Sequence, residues 1–246
     1  MTRLLKKTYA IYAGILYVVS FIPLFIPIVF FGSFKKTKFI AHRINVFTSF
    51  FTFFFTPIIY KREYRFKPSK KEQYVYCSNH TSFMDIPLLF LTLPGFVNIM
   101  GKSTIGSWPL FGIMYKQLYI LVNRKSKTGR FQALQDAKDT VADGRSMIIF
   151  PEGTIPNENA PNMINFKDGA FKVAIANQIP IIPITIPFNW KKLPGIGAKE
   201  GLSLGKVKII VHEPIVTKGM TESDVRGLKD QTFNIIDSEL KKQNNI

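Results

Sequence analysis

The sequence predicts an α/β domain with a mostly parallel sheet flanked by helices, preceded by an N-terminal membrane-associated two-helix segment. Three observations lead there. From about residue 67, short apolar runs alternate with segments of helical period, the pattern of strands joined by crossover helices. Before that point, two long apolar runs carry basic residues on their flanks, which suits a bilayer interface. A length of 246 residues holds one such domain and an appendage. The chain therefore divides into residues 1–66, a membrane-inserted helical pair, and residues 67–246, the α/β domain.

The first run, residues 8–34, is uncharged and long enough to cross about 30 Å of hydrocarbon, with Pro23 and Pro27 expected to interrupt it. The second, Ile44 to Tyr60, is short for a full crossing. Lys35, Lys36, Lys38 and Arg43 lie between them. Further cations flank the pair, at Arg3, Lys6 and Lys7 before it and at Lys61, Arg62, Arg65 and Lys67 after it. A spanning hairpin would put the turn and the flanks on opposite sides, against the positive-inside bias. The expectation is a pair that enters and returns at the cytoplasmic face, with full spanning as the second reading. A cleaved signal peptide is the third, disfavoured by the length of the apolar run and the lack of a clear cleavage site.

Within the α/β domain the expected strands are Tyr74 to Cys77, Phe96 to Met100, Tyr119 to Val122, Met147 to Phe150, Ile181 to Ile186 and Val207 to His212. The expected helices are Ile86 to Thr92, Thr128 to Ala142 and Phe166 to Asn177. A last helix carries Val225, Leu228, Ile236 and Leu240 near helical spacing. Pro194, Gly195, Gly197 and Gly201 mark a loop before the final strand.

The formal charge of +17, from 33 Lys and Arg against 16 Asp and Glu, predicts an acidic partner. Many of the 23 phenylalanines crowd into residues 21–66 among basic residues, which favours a membrane surface over nucleic acid. A single cysteine, Cys77, excludes an internal disulfide and a cysteine-based zinc cluster.

Asn79 to Asp85, N-H-T-S-F-M-D, joins a buried strand to a helix and sets His80 five residues before Asp85. In one unbroken helix such positions lie roughly 140° apart, so the pairing needs a bend. Thr81 and Ser82 favour helix starts, and Pro87 fits only the first turn of the helix that follows. Asp85 can then hold one ring nitrogen and leave the other free as a base. The plainer reading makes Asp85 a helix cap.

Four further blocks bound predicted strands. Gly101-Lys102-Ser103 lacks the earlier glycine that a phosphate loop needs, leaving Lys102 as a phosphate contact or a solvated lysine. Tyr119 to Arg124 ends in a guanidinium suited to bidentate phosphate recognition, or in a surface arginine. Phe150-Pro151-Glu152-Gly153-Thr154 sets Glu152 at a tight turn, where it would accept from substrate hydroxyls or orient an arginine. Ile179 to Ile184, with Pro180 and Pro183, should be an edge, a bulge or a tunnel wall.

Together and in this order, the blocks resemble the glycerolipid acyltransferase family over roughly residues 75–185, most closely bacterial 1-acylglycerol-3-phosphate acyltransferases. The likeness rests on N-H-x-x-x-x-D at Asn79 to Asp85, the arginine at Arg124, F-P-E-G-T at Phe150 to Thr154, and Pro180 to Pro183. Phe166 to Phe171 is similar to the segment that usually follows, and the basic aromatic leader resembles the two-helix membrane motif. The resemblance implies acyl transfer from acyl-CoA or acyl carrier protein to the free hydroxyl of a lysophospholipid at the bilayer. It implies His80 and Asp85 as catalytic residues and Arg124, Glu152, Gly153 and Thr154 at the substrate, where the chemistry of the residues themselves adds Lys102 as a phosphate contact and Lys167 as a further one. It implies no metal, no cofactor and a place at the cytoplasmic face of the bacterial inner membrane.

Two departures bear on the acceptor. Ile155 stands where the family usually has arginine, and Leu118 stands near its usual glycine. A different lysophospholipid or lyso-aminolipid acceptor is the alternative, with Lys167 compensating for the missing contact. Two other classes compete: a hydrolase using Ser103 or Cys77, for which no nucleophile elbow is evident, and a non-catalytic lipid-binding protein. His42 and His212 have no partner pattern.

Overall fold

The apolar run before the histidine motif forms β2 (Val75–Ser78), buried along its whole length because both faces of the sheet are covered. The computed structural model describes residues 2–56, 58–155, 160–193 and 202–245. Two helices lead, α1 (Arg3–Gly32) and α2 (Lys38–Phe55), followed by β1 (Ile58–Tyr64). After β2 come α3 (Asp85–Thr92), β3 (Val97–Lys102), α4 (Phe111–Leu118), β4 (Ile120–Val122), α5 (Lys127–Ala142) and β5 (Ser146–Ile149). The chain ends with α6 (Gly169–Asn177), β6 (Ile181–Thr185), α7 (Asn189–Lys192), β7 (Gly205–Val211) and α8 (Val225–Asn244). The predicted glycine-rich loop at Pro194, Gly195, Gly197 and Gly201 lies outside the described residues.

The described strands form one sheet in the order β1-β7-β6-β2-β5-β3-β4, parallel throughout except where β6 meets β7. Alternate side chains of a strand face opposite ways, so Tyr74 and Tyr76 join one core while Val75 and Cys77 join the other. The first core takes in Phe21 and Ile28 of α1, Ala41 and Phe53 of α2, and Leu88 and Leu89 of α3. The second packs α5, α6 and α8 through Ala137, Phe171 and Ile236. The amphipathic last helix is thus packing, as its spacing predicts.

Three expectations change, and one element is new. Pro23 and Pro27 do not interrupt α1, which runs through both. An interior proline costs about 3 kcal/mol, a cost comparable to the burial of Phe21 and Ile28, at about 1.5–3 kcal/mol each. The second apolar run is divided, ending as helix at Phe55 and resuming as β1, an edge strand in parallel register with β7. Its charges at Lys61, Arg62 and Glu63 suit an edge and mask it in the sequence. A helix, α4, also occupies the stretch before Leu118. Finally, β6 is interior, not an edge. Pro183 is tolerated because its missing donor faces the end of β7, where its carbonyl accepts from His212 N at 3.1 Å.

The hairpin turn between α1 and α2 is bound to the domain. Lys35 Nζ lies 3.0 Å from Asp143, and Gln117 Nε2 donates to Ser33 Oγ at 3.3 Å. Deeper in, Asn45 Nδ2 donates to the Tyr119 hydroxyl at 2.9 Å, so that hydroxyl's proton points to His42 Nδ1 at 3.0 Å. All three lie in the core. Tyr119→Phe leaves two buried polar groups unpaired and should destabilise the fold by about 1–3 kcal/mol, read as a lower denaturation midpoint in detergent.

Candidate active site

The strands β2, β5, β3 and β4 all run the same way, so Asn79, Phe150, Lys102 and Asn123 lie at or just beyond one carboxyl edge of the sheet. Ligands of open α/β sheets bind at such an edge. Asn79 turns back from the end of β2 to grip the end of β6. Ile186 N donates to its Oδ1 at 2.8 Å and its Nδ2 donates to Ile186 O at 3.0 Å.

His80 occupies the bend and Asp85 opens α3, as the spacing predicts. Pro87 sits in the first turn, where no intrahelical donor is needed. The bend is stabilised by backbone donors more than by hydroxyls: Thr81 N and Ser82 N reach Asp85 Oδ2 at 2.8 and 2.9 Å. The same oxygen lies 2.9 Å from His80 Nδ1. Asn189 Nδ2 donates to the other oxygen at 2.8 Å. Asp85 is fully buried and every one of these neighbours is a donor, so the network assigns the proton to His80 Nδ1 and leaves Nε2 as the lone-pair nitrogen. The imidazole is stacked on Phe150, ring centroids 3.8 Å apart and 15° from parallel.

Glu152 turns inward from its turn instead of outward. It is fully buried, and its two oxygens accept from His80 N at 2.9 Å and Ile164 N at 3.1 Å. Burial pushes its carboxyl up to about 7, against the pull of those two backbone donors, with the charge of Asp85 adding to the rise. It braces the loop that carries His80.

Gly153 turns the chain at φ +70°, and a side chain there would crowd Lys167 Nζ, 2.8 Å from the position of a Cβ. Arg124 reaches the same residue, donating from its guanidinium to Gly153 O. Burial lowers the proton affinity of that guanidinium from its ordinary value. Arg124, Gly153 and Lys167 are therefore brought together, while Thr154 is exposed on the adjoining turn. Lys102 is exposed at the end of β3, and among the described residues its side chain makes no hydrogen bond or ion pair. Gly101 beside it is a packing requirement, since a Cβ there would overlap the Tyr115 ring.

Cys77 is fully buried, and burial pushes its thiol up, so it is poorly suited to act as a nucleophile. Ser103 lies in a 3-10 turn after β3, not at a strand-to-helix elbow. His42 and His212 are both structural. His212 Nδ1 faces Arg65 at 3.1 Å and its Nε2 faces Thr185 Oγ1 at 2.8 Å. The stacking role of Phe150, which the sequence marks only as the first residue of its motif, and the place of Asn189 beside Asp85 are not read from the sequence. Phe150 could have been found as the residue before the turn, whereas Asn189 has no local signal.

Residues 58–187 match the family model for Acyltransferase, and the chain belongs to that family. It is 32% identical over 149 residues to a 1-acyl-sn-glycerol-3-phosphate acyltransferase of Chlamydomonas reinhardtii, covering 60% of this chain and 44% of that one. Against the chloroplastic 1-acyl-sn-glycerol-3-phosphate acyltransferase BAT2 of Brassica napus, identity is again 32%, covering 60% and 42%. The chain thus spans less than half the length of these relatives. The Haemophilus influenzae enzyme of that name is 28% identical over 186 residues, covering 73% and 74%. The crystal structure of the 1-acyl-sn-glycerophosphate acyltransferase PlsC from Thermotoga maritima superposes with a TM-score of 0.77 over 98% of this chain and 96% of that one. At 19% identity, that likeness is one of fold.

The raised Glu152 carboxyl makes a pH prediction. Its folded value, about 7, lies above the ordinary 4.5, so this group favours the fold below 4.5 and withdraws that stability as pH rises through about 7. The loss is on the order of 3 kcal/mol. Denaturation of wild type and Glu152→Gln across that range should show the wild type losing stability with pH more steeply than the variant.

Proposed function

We propose that this protein transfers a fatty acyl group from a thioester donor, acyl-CoA or acyl carrier protein, to the free hydroxyl of 1-acylglycerol-3-phosphate, giving phosphatidate. The observation that carries this reading is His80, held through Nδ1 by a buried carboxylate with its other nitrogen left as a base. His80 Nε2 takes the proton of the acceptor hydroxyl as its oxygen attacks the thioester carbonyl. Asp85 stabilises the resulting imidazolium, which returns the proton to the thiolate as the tetrahedral adduct collapses to ester and free thiol. Arg124 and Lys167, gathered at Gly153, with Lys102 and Thr154 beyond, bind the acceptor phosphate. The excess of positive charge suits an acidic donor.

The reaction takes place at the cytoplasmic face of the bacterial inner membrane, with the helical pair entering and returning on that side. α1 is long and apolar enough to cross a bilayer. Its exposed Ile11, Ile15, Ile22, Ile26 and Phe30 fall at helical spacing, and Phe47, Phe50 and Phe54 do the same on α2. The hairpin turn bound at Asp143, with α2 docked at Tyr119, supports the re-entrant reading, because a spanning pair would carry that turn about 30 Å from the domain.

A detergent assay with acyl-CoA and 1-acylglycerol-3-phosphate should release free thiol only when acceptor is present. His80→Ala should lower turnover by about 10²–10⁴-fold. Lys167→Ala should raise the acceptor KM, and a panel of lysophospholipids would show whether Ile155 has changed the preferred head group. A cysteine placed at Lys36 should react with an impermeant thiol reagent from the cytoplasmic side. Reaction from the opposite side alone would overturn the re-entrant reading.

A further inference from the structure

The Asp85 carboxylate is held unevenly. Oδ2 takes three donors from its own loop, His80 Nδ1, Thr81 N and Ser82 N. Oδ1 takes one among the described residues, the Asn189 amide at 2.8 Å. A carboxylate gripped at one oxygen retains freedom to turn about that point, and a donor on the second oxygen fixes its plane. The imidazole bonded to it is then aimed as well.

We propose that Asn189 is a positioning residue for the His80–Asp85 pair, fixing the plane of the carboxylate through Oδ1 from a separate element of the fold. This rests on the reading of His80 as the base. Asn189 is fully buried and opens α7, three residues beyond Ile186, whose backbone Asn79 clamps to the end of β2. Its amide is therefore delivered from a pinned strand end. Its own Oδ1 has no partner among the described residues. Burying an acceptor without a donor is unfavourable, and turning the amide over would set that oxygen against the carboxylate. The favourable contact of this side chain's polar end is therefore its N–H bond to Asp85.

The test uses the full chain in detergent, assayed with acyl-CoA and 1-acylglycerol-3-phosphate. Asn189→Leu should lower kcat by about 10–100-fold while the acceptor KM stays within about twofold. In an Asp85→Asn background the same change should cost less than about threefold, because the residue acts through that carboxylate. Asn189→Asp sets a second buried carboxyl against Asp85 Oδ1, so the two share one proton, and that proton still bridges to Oδ1. This variant should keep more of kcat than Asn189→Leu near neutral pH and lose it as pH rises. Wild-type kcat in Asn189→Leu, equal losses in both backgrounds, or a loss in Asn189→Asp as large at every pH as that in Asn189→Leu would each overturn the proposal. If Asn189→Leu does not fold, the pH dependence of kcat in the isosteric Asn189→Asp decides. Full turnover in His80→Ala would sink the site reading itself, a distinct failure.

Discussion

A carboxylate taken out of water needs donors to replace the hydration it loses, and Asp85 finds four within 2.9 Å. The effective penalty for burying an ion is several kcal/mol, and hydrogen bonds to a charged group return about 1.5–3 kcal/mol each. Four of them offset the cost. Two come from the backbone of the bend, one from the imidazole and one from α7, so the bend, the tautomer of His80 and the position of α7 are settled together. Glu152 adds a second buried acid behind the same loop, bonded to His80 N. The histidine is thereby restrained at its backbone, at Nδ1 and across its ring face by Phe150.

The two faces of the sheet divide the labour. Helices α5, α6 and α8 close one face and give an ordinary soluble exterior. On the other, α1 and α2 cover α3 and α4, and they turn their remaining apolar side chains outward. The candidate site lies at the carboxyl edge between these faces, with the polar exterior on one side and the exposed apolar ridge of α1 and α2 on the other.

Much of this was legible in the chain because each feature has a local signature. The strands were marked by short apolar runs, α3 by Pro87 and Asp85, and the pairing of His80 with Asp85 by their spacing across a bend. What escaped depends on partners distant in sequence. The residues of β1 read as a charged continuation of the leader, and only their pairing with β7 makes them a strand. Pro183 argued for an edge, yet the place where β7 ends lets it sit inside the sheet. Glu152 looked like a substrate contact because a turn acid usually points outward, and the backbone N–H of Ile164 that draws it inward is twelve residues on. Asn189 lies 104 positions from the carboxylate it serves.

The docking of α2 through Tyr119 has a practical corollary. Phe21, Ile28, Ala41 and Phe53 belong to the same core as Tyr76 and Ile184, and His42 packs its ring against Phe90 and Phe96. An amino-terminal deletion intended to yield a detergent-free catalytic fragment would strip away one wall of the hydrophobic interior. What remained would be a half-open sheet prone to clumping, so a soluble form is better sought by recolouring the exposed apolar ridge of the leader with polar residues.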